Sequence, residues 1–162
     1  MRREMLTRSE LWVAIALAVF NALSAVAGGG GALLTGGFGA PQSMLENSPF
    51  TSFVLPALIL LVVVGGTQAT AAIQLIRRAP SSLLWNAVAG FGMIIWITTE
   101  VMMILGFSWL QVLYFATGVL QLALTFGLLG IVPWAPRLSL GRTGFRRRRG
   151  PARGAAGHGV SG

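Results

Sequence analysis

Apolar residues run almost unbroken through four stretches of this chain, and polar residues gather between them. The stretches cover about residues 11–34, 50–76, 83–105 and 109–132. Each is long enough to cross a hydrocarbon core, which needs roughly 20 apolar residues. A segment in lipid must satisfy its own backbone hydrogen bonds, so all four are read as helices. The expected fold is all-α: a transmembrane four-helix bundle running up-down-up-down with left-handed packing.

Local signals refine the ends. Ser9 is placed to N-cap the first span, and Ser48-Pro49 offers a cap and a first-turn proline for the second. Ser108 with Gln111 makes an S-x-x-Q capping box for the fourth, and Gly106 sits where a glycine would end the third. So short a link forces spans three and four into an antiparallel hairpin. The longest connection, 35–48, is rich in Gly, Pro and Ser. It is read as a plain connection, with a short helical turn over 41–47 as the other reading.

Polar positions inside the spans fall in register. In the fourth, Gln111, Tyr114, Gly118, Gln121 and Thr125 are spaced 3, 4, 3, 4, the seam of a left-handed packed helix. The first span offers Leu17, Asn21, Ser24, Gly28 and Gly31. The second offers Val63, Thr67, Thr70 and Gln74, and the third Asn86, Met93 and Glu100. Gln68, Thr98, Thr99 and Thr117 fall outside these registers. Gly28, Gly31 and Gly118 are expected at close helix contacts. The simple reading of the seams is interhelical glue; the other is a polar cavity lining.

Composition agrees with lipid as the main solvent. The chain has 162 residues, 54% of them hydrophobic and only 10% charged, with mean hydropathy +0.75. A soluble domain is about 25% charged. Cysteine is absent and the one histidine is His158. Disulfides, thiol chemistry and an intramembrane His-based metal or catalytic site are therefore excluded, and no cofactor is expected.

All twelve basic residues are arginine. Arg2, Arg3 and Arg8 precede the first span, Arg77 and Arg78 lie between the second and third, and the rest follow the fourth. The positive-inside bias puts that side, with both termini, in the cytoplasm of a cell with an inner (plasma) membrane. Residues 1–10 then form a basic N-terminus, 11–134 the transmembrane domain and 135–162 a disordered Arg/Gly-rich tail. In that tail Arg146, Arg147, Arg148 and Arg149 serve as a topology anchor or as a contact for anionic lipid. Nucleic acid is not expected as a partner. One competing pattern exists: Ala25-Val26-Ala27 resembles a signal-peptidase site. Apolar sequence continues through Leu34, which favours an uncleaved span.

Glu100 is the one carboxylate within a span. It lies roughly 5 to 8 Å from the end of its helix, at about 1.5 Å per residue. No arginine reaches that level, so a neutral acid is expected. It would donate to Tyr114 or to a backbone carbonyl freed where Gly28 to Gly31 loosens the first helix. An intramembrane carboxylate is a functional candidate by default.

Several segments carry a resemblance. Asn21-Ala22-Leu23-Ser24-Ala25-Val26-Ala27-Gly28-Gly29-Gly30 is one. Ser48-Pro49-Phe50 leading through Leu55-Pro56-Ala57 to Val64-Gly65-Gly66 is another, with Trp96-Ile97-Thr98-Thr99-Glu100-Val101 and Trp109-Leu110-Gln111. Over about residues 11 to 130 the chain resembles a family of small four-span membrane proteins of high-GC, actinobacterial-type bacteria. The resemblance implies the fold and an uncleaved first helix, and no activity. The leading functional reading is a non-enzymatic structural, accessory or partner-binding bundle, in contact with membrane lipids and open to homo-oligomers or a membrane-protein partner. The alternative is a small carrier or lipophilic-ligand binder using Glu100, Tyr114, Gln111, Gln121 and Asn21.

Overall fold

The computed structural model describes residues 2–104, 106 and 108–129, with the backbone alone for 2–7. Expectations for 130–134, for the tail and for Arg146, Arg147, Arg148 and Arg149 lie outside the described residues. Every secondary-structure element within them is helical. Four helices are long and apolar enough to cross a membrane: Arg8–Thr35 within a longer helix, Val54–Ile76, Ser82–Ile104 and Trp109–Leu128. They pack into a four-helix bundle, the architecture of a multi-pass membrane protein.

The first helix runs from Arg2 to Thr35, so Ser9 lies inside it and does not cap it. Arg, Glu, Met and Leu are good helix formers and extend the helix past the apolar stretch. The second helix starts at Val54, four residues later than expected. Pro56 explains the delay. Started at Phe50, the helix would hold a proline in its interior, where the ring clashes with a carbonyl one turn back. Started at Val54, it has Pro56 in the first turn, where the missing N–H would be unpaired anyway. Ser48 instead closes a turn, its Oγ accepting the Phe50 N–H at 3.2 Å.

The second helix is not uniform. Ile59–Val64 forms a π-helical turn between two α-helical segments. Residues 28–31 of the first helix stay α-helical. The loosened backbone expected there lies in the neighbouring helix instead. The fourth helix opens as expected, with Gln111 Oε1 accepting the Ser108 N–H at 2.8 Å.

The long connection is more than a plain link. It contains a 3-10 turn, Gln42–Leu45, with Leu45 buried. Gly36, Gly37 and Gly39 take positive φ, a conformation that costs glycine nothing. The reversal folds the Phe38 ring back onto Gly31.

Sequential helices pack side by side, and the first closes the ring on the fourth. Paired residues show the directions. Gly29 meets Ala57 and Leu61 while Ala25 meets Gly65; Gly90 meets Gly118 and Leu122. Asn86 reaches Thr125 while Gln111 reaches Glu100. Neighbours are therefore antiparallel, and the topology is up-down-up-down.

The interior has three levels. Near the Arg77–Arg78 end lies an apolar cluster of small and branched side chains, including Ala14, Ala18, Ala71 and Leu75. A polar layer follows. Toward the other end is a second cluster built on Val64, Met93, Trp96 and Ile97. The outward faces carry large apolar side chains such as Val62, Phe91 and Ile95, each at least half exposed. Water would penalise such a surface, and hydrocarbon suits it.

Candidate functional site

The polar layer takes one amide from each of the four helices. Asn21, Gln68, Asn86 and Gln121 are all 0% exposed. Gln121 sits at the centre. Its Oε1 accepts from Asn21 Nδ2 at 3.2 Å and from Gln68 Nε2 at 3.0 Å. Its Nε2 donates to Gln68 Oε1 at 2.9 Å and to Asn86 Oδ1 at 3.3 Å. That exhausts the two lone pairs and two protons of the amide.

The partners are satisfied in turn. Asn86 Nδ2 donates to Thr125 Oγ1 at 2.8 Å, and Gln68 Nε2 also donates to the Ala89 carbonyl at 3.2 Å. The Thr117 hydroxyl is shared between Asn21 Oδ1 at 3.1 Å and the Tyr114 carbonyl of its own helix at 2.8 Å. The layer holds amides and hydroxyls only. A buried polar network of this kind stabilises when complete, because every unpaired member would cost more than its bond contributes.

Thr117 and Gln68, which fall outside the expected registers, are members of this layer. In the second helix the inward seam runs through Val64, Gln68, Ala71 and Leu75, one residue on from the expected Val63, Thr67, Thr70 and Gln74. The threonines misdirect that reading. Thr67 Oγ1 donates to the Val63 carbonyl and Thr70 Oγ1 to the Gly66 carbonyl, both at 2.8 Å. A threonine that bonds its own preceding turn needs no interior partner. Thr98 and Thr99 do the same on an exposed face.

On the loop side of the layer the bundle opens into a cavity of about 460 Å³. All four helices and the long connection line it. Asn21 and Met93 lie deep, Gly28, Ala57 and Leu60 form one wall, and Phe38, Leu45 and Phe53 roof it. The Gln121 side chain does not reach it. Glu100, Gln111 and Tyr114 do.

Glu100 is half-buried against the cavity. Gln111 Nε2 donates to its Oε1 at 3.5 Å. The partner is therefore Gln111 and not the expected Tyr114, whose ring stacks on Phe20 with centroids 6.0 Å apart. Among the described residues, Gln111 and Trp96 are the side chains that bear on Glu100. Trp96 Nε1 comes near the carboxylate without meeting hydrogen-bond geometry, and it is buried with no acceptor. A donor left in that state costs about 1–3 kcal/mol. Trp96 lies one turn before Glu100 on the same helix face, as the sequence spacing predicts.

The glycines divide by role. A Cβ at Gly29 would lie 2.8 Å from the Ala57 carbonyl and from Leu61, so the close approach of the first two helices falls there. Gly28 faces the cavity, where a Cβ would meet only Leu60 at 3.4 Å. Gly118 lies against Gly90, with a Cβ 3.0 Å from its carbonyl. Gly31 packs under the Phe38 ring.

No protein family, curated protein or solved structure matches the chain.

Proposed function

We propose that this chain is a non-enzymatic, multi-pass protein of the plasma membrane that holds a lipophilic ligand at its outer end. The cavity of about 460 Å³ carries the reading. Ligand sites are typically about 300–1,000 Å³, mostly apolar, with a few convergent polar groups. Here Glu100, Gln111, Trp96 and Tyr114 supply those groups. The polar layer beneath has all its amides paired, which supports holding a ligand over carrying one through. Placement of all twelve arginines on one side supports cytoplasmic termini, and the cavity then opens toward the outer leaflet. Asn21 and Ala25, buried within the bundle, support retention of the first span. Arg146, Arg147, Arg148 and Arg149 would meet anionic inner-leaflet lipid, at about 1 kcal/mol each. Membership of the small four-span family of high-GC bacteria belongs to this proposal.

The test is gentle extraction and native mass spectrometry of the wild type beside Gly28→Leu, which projects a bulky side chain into the cavity. A bound lipophile in the wild type, lost in the variant, is the expected result. A wild type that carries no lipophile but a stoichiometric second protein would replace this reading with that of an accessory bundle.

A further inference from the structure

We infer that the head of the ligand is a hydroxyl group, seated between the Trp96 indole N–H and the Glu100 carboxyl, so that the cavity selects a lipophilic alcohol. The inference rests on the ligand-binding reading above and names the chemistry of its ligand.

Two unmet needs meet at one place. Trp96 is 9% exposed, and its Nε1 donor is buried without an acceptor. Glu100 uses Oε1 to accept from Gln111 Nε2, and among the described residues no side-chain donor meets its other oxygen in hydrogen-bond geometry. Positions 96 and 100 are one helical turn apart on one face, and both line the cavity. The missing partner must therefore accept from Trp96 and either donate to a carboxylate oxygen or accept from a neutral acid.

A hydroxyl does both at a single oxygen. An ether or ketone suits only the neutral acid, because it has no proton for a Glu100 carboxylate, whereas a hydroxyl serves either form. An ammonium donates but cannot accept from Trp96. A hydrocarbon does neither and leaves both groups desolvated and unpaired. Below the head, Met93, Ile97 and Leu60 make an apolar slot for a chain or ring system. Methionine adapts its shape to an irregular occupant. Leu60 belongs to the π-helical turn Ile59–Val64, and such turns recur at functional sites.

The experiment uses the full chain in lipid nanodiscs, with ¹⁵N-indole tryptophan and ¹³C-methyl methionine. The probes are 1-dodecanol, dodecylamine and dodecane, compared at equal mole fraction in the bilayer. Dodecanol is expected to shift both the Trp96 indole signal and the Met93 methyl signal, and to bind about tenfold tighter than dodecane, or 1.4 kcal/mol. Glu100→Leu is expected to erase most of that preference; Trp96→Phe assigns the indole signal. The probe series on the wild type decides the matter even where a variant fails to fold. Dodecane binding as well as dodecanol, with Met93 shifted and Trp96 unmoved, would overturn the hydroxyl inference and leave the ligand site standing. Dodecylamine binding tighter than dodecanol would overturn it in favour of a cation. No Met93 shift with any probe would remove the ligand site itself.

Discussion

Gln68 and Gln121 face each other across the diagonal of the bundle and exchange two hydrogen bonds, at 2.9 and 3.0 Å. The second and fourth helices are not neighbours in the ring, so this amide pair is what joins them directly. Asn21 and Asn86 then bind Gln121 from the two remaining helices. One side chain thereby coordinates all four.

Replacing that side chain strands its partners. Gln121→Leu removes four side-chain hydrogen bonds. At about 0.6 kcal/mol for an average interhelical bond in a membrane, the loss comes to roughly 2 kcal/mol. Gln68→Leu removes three such bonds and is expected to cost about three quarters as much, and Gln74→Leu almost nothing. Denaturant titration of the three variants in one mixed micelle gives the order. Equal losses at positions 68 and 74 would place the seam of the second helix wrongly.

Adjacent glycines in the first helix are expected to behave oppositely. Gly29→Ala puts a methyl 2.8 Å from the Ala57 carbonyl, an overpacking that costs about 1–3 kcal/mol. Gly30 has nothing within 4 Å, so Gly30→Ala gains helix propensity, by up to about 1 kcal/mol. Thermal melts of the two purified variants would show one shifted down and the other level or up.

These contrasts mark what the sequence made legible. Span number, their order and the inward face of the fourth helix follow from hydropathy and from Gln111, Gln121 and Thr125. The inward face of the second helix did not, because Thr67 and Thr70 are polar by composition yet self-satisfied by geometry. Gln68 was the true signal there, since a glutamine in lipid cannot pair fully with its own turn. Pro56, rather than Ser48-Pro49, carries the signal for the start of the second helix. The cavity was not readable at all. It arises from where four helices and a folded loop fail to fill space, and no one-dimensional pattern records that.

Glu100 separates shape from chemistry. Glu100→Gln keeps the size of the side chain and a hydrogen-bonding oxygen beside Gln111, so folding is expected to change by less than about 0.5 kcal/mol. Glu100→Leu leaves the Gln111 amide short of an acceptor and is expected to cost about 1 kcal/mol. A Gln variant that loses stability as the Leu variant does would show that the carboxyl itself holds the bundle together.

The cysteine-free sequence allows a clean topology test. Glu46→Cys and Pro80→Cys place single thiols on exposed positions at opposite ends of the bundle. An impermeant maleimide applied to intact cells is expected to label the first and spare the second. The reverse pattern would invert the orientation and turn the cavity toward the cytoplasmic leaflet.

Because the Gln121 layer is made of amides and hydroxyls alone, it carries no net charge through the middle of the membrane. A unit charge crossing the membrane potential exchanges about 2.3 kcal/mol per 100 mV, and this clamp has none to move. Neither the energised state of the cell nor a swing in acidity exerts a direct pull on it. The midsection of the bundle is electrically silent, a fixed floor under whatever occupies the chamber above.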